Sequence, residues 1–188
     1  MRKRAFIIHG WEGHPGEGWL SWLRAELAKR GLEVHVPAMP ETSKPKIEVW
    51  VPFLSKLVGK PDENTYFVGH SIGCQTILRY FESIDEKVGG AILVAGWVHL
   101  VNLEDETAEE IAQSWLETPM DWQKIKNKTT NFVAFFSDND EWVPITDAEI
   151  FKEKLGAKII IEKGQGHFTE DDKVYEIPTV LEELLKIT

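Results

Sequence analysis

The sequence has a single cysteine, Cys74, in 188 residues, which excludes an internal disulfide and a cysteine-built metal cluster. It is also short of positive charge: 21 Lys and Arg stand against 31 Asp and Glu, a formal net charge of −10. With no basic stripe to neutralise phosphates, neither nucleic acid nor an anionic membrane is expected as a partner. Long apolar runs are missing as well. The basic start Met1-Arg-Lys-Arg is followed only by the apolar run 5–8 before His9 and Gly10. That is too short for a signal-peptide core, and no run approaches a membrane span. A cytoplasmic protein is expected. Asparagine and glutamine are few beside lysine and glutamate, which leans toward a heat-adapted source.

What is present is the length and composition of one globular domain, spanning 1–188 and large enough to bury a core. Apolar runs alternate with amphipathic stretches. Strands are expected at 5–8, 32–36, 65–68, 89–95, 132–136 and 158–161, and helices at 16–30, 46–58, 72–83, 146–155 and 173–186. Six alternations give an α/β fold, a mostly parallel six-stranded sheet with helices on both faces. Residues 98–129 break the rhythm: they are acidic, with Trp115 and Trp122 among polar neighbours. They read either as a short flap over a site or as a solvated acidic excursion.

Sites on such sheets lie at the carboxyl ends of the strands. There, between an expected strand and helix, stands Gly69-His-Ser-Ile-Gly73. Gly-x-Ser-x-Gly in that setting matches the nucleophile elbow, a turn so sharp that side chains two residues either side of the serine would collide with strand and helix. The elbow exposes Ser71. A serine hydroxyl is a weak nucleophile until a base takes its proton, and the base needs an acid to hold its tautomer. Asp138 and Asp140 follow the fifth strand, and His167 follows the sixth. Asp140, closer to the Val143-Pro144 that opens the next helix, is the preferred acid, with Asp138 as the alternative. An Asp after a strand otherwise caps a turn.

His167 is the expected base. His35 lies inside a strand, His70 should point away from Ser71, and His9 is better placed to organise its loop. The spacing of His9, Glu12 and His14 fits no metal-ligand pattern, so neither metal nor cofactor is expected. Negative charge developing on a substrate carbonyl needs backbone donors, for which the N–H groups of Ile72 and Trp11 are the candidates. Trp11, Trp97 and Trp142 stand at strand ends and could wall a substrate pocket. Trp19, Trp22 and Trp50 read as core, and Cys74 as a small apolar residue under the elbow.

These residues resemble the α/β-hydrolase superfamily, and more narrowly the small serine hydrolases related to retinoblastoma-binding protein 9. The resemblance covers nearly the whole chain. It rests on Gly18-Trp19, Met39-Pro40, Trp50-x-Pro52-Phe53, Gly69-His-Ser-x-Gly73, Asp121-Trp122-Gln-Lys-Ile-Lys126, Ser137-x-x-Asp140 with Pro144, and Gly166-His167-Phe168. It implies a compact hydrolase without a large lid domain, with Ser71, Asp140 and His167 as its triad. That family's name comes from binding the retinoblastoma protein through a Leu-x-Cys-x-Glu segment. Here the only cysteine is followed by Gln75 and Thr76, so such binding is not expected. The reading is a serine hydrolase of small carboxylic esters, with thioesters and activated amides sharing the same tetrahedral intermediate. The alternative is a non-catalytic interaction module on a hydrolase scaffold, since fold alone does not fix function.

Overall fold

The structure, a computed structural model, describes residues 2–103 and 105–188. Its strands are β1 (Arg4–Ile8), β2 (Glu33–His35), β3 (Thr65–His70), β4 (Gly90–Val94), β5 (Phe132–Ser137) and β6 (Lys158–Glu162). The helices are α1 (Gly18–Lys29), α2 (Ile47–Val58), α3 (Ile72–Ser83), α4 (Glu106–Glu117), α5 (Trp122–Lys126), α6 (Asp147–Leu155) and α7 (Pro178–Ile187). The sheet runs β2-β1-β3-β4-β5-β6, and every neighbouring pair is parallel. The expected "mostly parallel" is therefore wholly parallel.

Apolar side chains alternate between two cores, one on each face of the sheet. Phe6, Ile8, Phe67, Ala91, Leu93, Ala134 and Phe136 pack with α2 to α6. Ala5, Ile7, Val68, Ile92, Val94, Val133 and Phe135 pack with α1 and α7. This is why the central strands read as unbroken apolar runs: with both faces covered there is no polar side to alternate with. Trp19 and Trp50 are buried as expected, and Trp22 packs partly buried against the α1/α7 core.

Two expectations are corrected. Within 98–129, where no helix is among those expected, the described residues carry α4 and α5. The closing helix begins at Pro178 rather than 173, because proline suits the first helical position and 169–173 are engaged in a turn around Asp172. Among the described residues, no helix is long and apolar enough to cross a membrane.

After β1 the chain first adds β2 on one side and then β3 on the other. The strand order thus reverses between β1 and β3, and a crevice at their carboxyl ends is the usual place for a ligand. The loops carrying Gly10-Trp11 and Ser71 meet there.

Candidate active site

Ser71 follows β3 directly, with φ 52° and ψ −120°, a conformation that costs a non-glycine residue of order 1–3 kcal/mol. The flanking glycines have a steric reason. A Cβ on Gly69 would stand 2.8 Å from the Cys74 nitrogen, and one on Gly73 would stand 2.8 Å from the His9 carbonyl oxygen. The turn is pinned by the Ser71 N–H donating to Val94 O and the Cys74 N–H donating to Ser71 O, both at 2.9 Å. Cys74 is fully buried beneath it, its thiol donating to Val94 O; burial pushes the thiol's pKa up, so it stays protonated.

Ile72 and Trp11, the expected backbone donors, line the same cleft as Ser71. Ile72 is the first residue of α3, so its N–H is one of those no helical carbonyl can reach. A Cβ on Gly10 would lie 3.6 Å from Ser71 Cβ, which brings the bare backbone before Trp11 against the elbow. Among the described residues the Trp11 N–H has no acceptor. His9 organises this loop: its Nδ1–H donates to Gly10 O at 2.8 Å, and its Nε2 accepts from the Met39 N–H at 3.0 Å. Burial lowers its pKa, and with both nitrogens engaged it is neutral and has no lone pair for a metal.

The loops after β5 and β6 bring the expected acid and the expected base together. His167 Nδ1 lies 2.8 Å from Asp140 Oδ2, and Asp140 Oδ1 accepts the N–H groups of Trp142 and Val143 at 3.0 Å each. An ionised Asp140 only accepts, so the Nδ1 proton is donated to it and Nε2 is left as the basic nitrogen. Trp142 meets the His167 ring edge-on, with centroids 5.0 Å apart. Ser71 and His167 line the same cleft. Among the described residues neither the Ser71 hydroxyl nor His167 Nε2 has a hydrogen-bond partner, and such contacts are commonly long until substrate binds.

Each residue of Ser137-Asp-Asn-Asp140 has its own task on the histidine loop. The Gly164 N–H donates to Asp138 Oδ1, the Gln165 N–H to Ser137 Oγ and the Gly166 N–H to Asn139 Oδ1, at 2.8, 3.0 and 2.9 Å. Three side chains thus hold the loop's backbone, while the fourth, Asp140, holds its ring. Asp138 is accordingly a turn-binding residue, and the alternative acid is disfavoured. From the far side, the His167 and Phe168 carbonyls accept from His70 Nε2 at 2.7 Å and from Trp19 Nε1 at 3.0 Å. His70 is thereby tied to the histidine loop; it is buried, and burial lowers its pKa to about 3.

The cleft measures about 690 Å³, within the range of small-molecule sites. Trp11, Trp97 and Trp142 all line it, as does α4 through Thr107, Ala108 and Ile111. That helix is tied down behind the cleft: the Trp115 indole donates to Pro45 O, and Arg79 donates to the Trp115 and Thr118 carbonyls. Sequence reasoning also missed Asp147. Fully buried at the start of α6, it accepts from the Val98 and His99 N–H groups and from His99 Nδ1, fixing the loop that carries Trp97. In sequence it is indistinguishable from the acidic residue that commonly opens a helix.

A model of the family described as serine hydrolase matches residues 5–186. YdeN of Bacillus subtilis (strain 168) is 29% identical over 186 residues, covering 98% of this chain and 95% of that protein. Serine hydrolase RBBP9 of Rattus norvegicus is 28% identical over 169 residues, covering 89% and 87%. Among solved structures, the ydeN gene product from B. subtilis superposes with a TM-score of 0.89 at 30% identity, covering 98% of both chains. Est1E from Butyrivibrio proteoclasticus, solved with ferulic acid bound, shares the fold with a TM-score of 0.73 at 16% identity, covering 98% and 88%.

Proposed function

The chain belongs to the serine hydrolase family, and on that footing we propose that it cleaves small carboxylic esters through an acyl-enzyme on Ser71. The observation that carries this reading is the Asp140–His167 pair, held at 2.8 Å, with His167 lining the cleft that also contains the strained Ser71. His167 Nε2 takes the Ser71 proton as Oγ attacks the ester carbonyl carbon. The tetrahedral oxyanion is received by the N–H groups of Trp11 and Ile72. Collapse breaks the bond to the leaving oxygen, which takes the proton from His167 and departs as the alcohol. Water, deprotonated by the same Nε2, then attacks the acyl carbon and frees the carboxylic acid and Ser71. Asp140 keeps the imidazole in the required tautomer throughout and favours its transient cation.

Thioesters and activated amides pass through the same intermediate and differ only in the leaving atom, so the ester preference is a matter of cleft shape. Of the expected flap, Leu100, Leu103 and Asp105 cover the cleft and α4 forms one wall. The test is hydrolysis of a short aryl ester by Ser71→Ala: a loss on the order of 10⁴–10⁶ in rate is expected, with an unchanged fold by circular dichroism. Near-normal turnover by the pure variant would remove Ser71 as nucleophile.

A further inference from the structure

A second cavity, about 650 Å³, opens at the opposite end of the sheet, where the strands begin. Its lining includes Lys87, Lys126 and Lys128, against the single carboxylate of Glu63. In a chain of net charge −10 this is a local reversal of sign. Lys128 is only 6% exposed and Tyr66 only 5%. Among the described residues, the Lys128 ammonium and the Tyr66 hydroxyl have no hydrogen-bond or ion-pair partner, yet neither tip is sealed from the cavity. A lysine so deeply enclosed ordinarily finds a carboxylate or carbonyl, because an unpaired charge is costly to bury. Burial raises the pKa of Tyr66, so its hydroxyl keeps its proton and remains a donor.

We propose that this cavity is a second ligand site, taking a small multivalent oxyanion of the phosphate kind. Lys128 and Tyr66 form its floor, and Lys87 and Lys126 its mouth. Ammonium-to-phosphate hydrogen bonds are charge-assisted and among the stronger ones a protein makes. Nothing in the cavity performs chemistry, so the site is a binding site. It is separated from Ser71 by the length of β3, six residues or roughly 20 Å at ~3.3 Å per residue.

The test is a titration of the ¹⁵N-labelled full chain with inorganic phosphate, at ionic strength held constant with sodium chloride, followed by amide chemical shifts. Saturable shifts are expected at Gly89 and 128–131, with little change at Gly10 and His167. Lys128→Met should weaken binding about tenfold or more, the usual consequence of removing a hydrogen bond to a charged group, while leaving aryl-ester hydrolysis unchanged. If Lys128→Met does not fold, the exposed pair Lys87→Gln with Lys126→Gln should show the same loss. Repeating the titration with glycerol phosphate distinguishes a phosphorylated metabolite, which binds more tightly than the free ion, from inorganic phosphate itself. Shifts that do not saturate, that centre elsewhere, or that persist undiminished in the lysine variants would overturn the site. In that case the Lys128 stem is packing and its ammonium is merely hydrated.

Discussion

The two ends of the sheet are built to different rules. Loops that follow the strands contain every described non-glycine residue with positive φ: Glu12, Glu41, Ser71, Ala95, Asn102, Phe168 and Lys173. Loops that lead into the strands reach positive φ only with glycine, at Gly31, Gly59 and Gly156. Charge divides the same way. The cleft at the carboxyl ends is lined by Glu12, Glu17, Asp105, Glu170 and Asp171, without a lysine or arginine, and burial raises the pKa of Glu17. The cavity at the other end is lined by three lysines and one glutamate. Backbone strain is tolerated where groups must be aimed, and relieved with glycine where the chain only has to turn.

The sharpest way to break this contrast is at the acid. Asp140→Asn should lower kcat about 10⁴-fold, because an amide presents a donor to Nδ1 and stabilises the wrong tautomer. Asp138→Asn, which loses only part of one contact to the Gly164 N–H, should cost less than about tenfold. Aryl-ester kinetics on both variants decide the matter, and the reverse ranking would reassign the acid.

A smaller effect separates the glycines. Gly73→Ala forces a Cβ onto the Ile8 and His9 backbone at the end of β1, a rigid clash that should destabilise by about 3 kcal/mol. Gly31→Ala, at φ 86° with nothing within 4 Å, should cost only about 1–2 kcal/mol, the conformational penalty alone. Urea midpoints for the two variants measure the difference; equal losses would mean that the elbow has room to relax.

Smaller again, per unit of pH, is the contribution of His70. Burial holds its folded pKa at about 3 against an ordinary 6.5. Below pH 6.5 the unfolded chain binds a proton at this residue that the folded chain refuses. Stability contributed by the neutral ring is therefore complete above 6.5 and is lost as pH falls, by about 1.4 kcal/mol per unit. His9, also lowered by burial, adds to the same slope. Between pH 6.5 and 5, where few carboxylates yet titrate, His70→Asn should flatten the dependence of urea stability on pH. An unchanged slope would show that His70 is not held neutral.

Much of the carboxyl end was legible in the sequence because its chemistry is local. The elbow needs two glycines at fixed spacing, and each triad candidate stands in the loop after an apolar run. Other features were hidden because fold, not spacing, assembles them. Ser137, Asp138 and Asn139 look like ordinary turn residues until β5 and β6 pair and lay them beside 164–166. In α4, Ala108, Ile111, Ala112, Trp115 and Leu116 stand at helical spacing, but they are set among four glutamates and just Ala112 and Trp115 are buried, so the segment reads as easily as a solvated acidic excursion. The lysine cavity draws on five separated segments, none of which carries a motif.

The central claim is that Ser71 is the nucleophile and is activated by His167. Its most direct test is mass spectrometry of the full chain after exposure to a fluorophosphonate, with the adduct located by peptide mapping. The account predicts a single adduct, on Ser71, forming rapidly in the native protein and strongly slowed in His167→Ala. An adduct on another serine, or full ester hydrolysis by protein that takes no label, would contradict it.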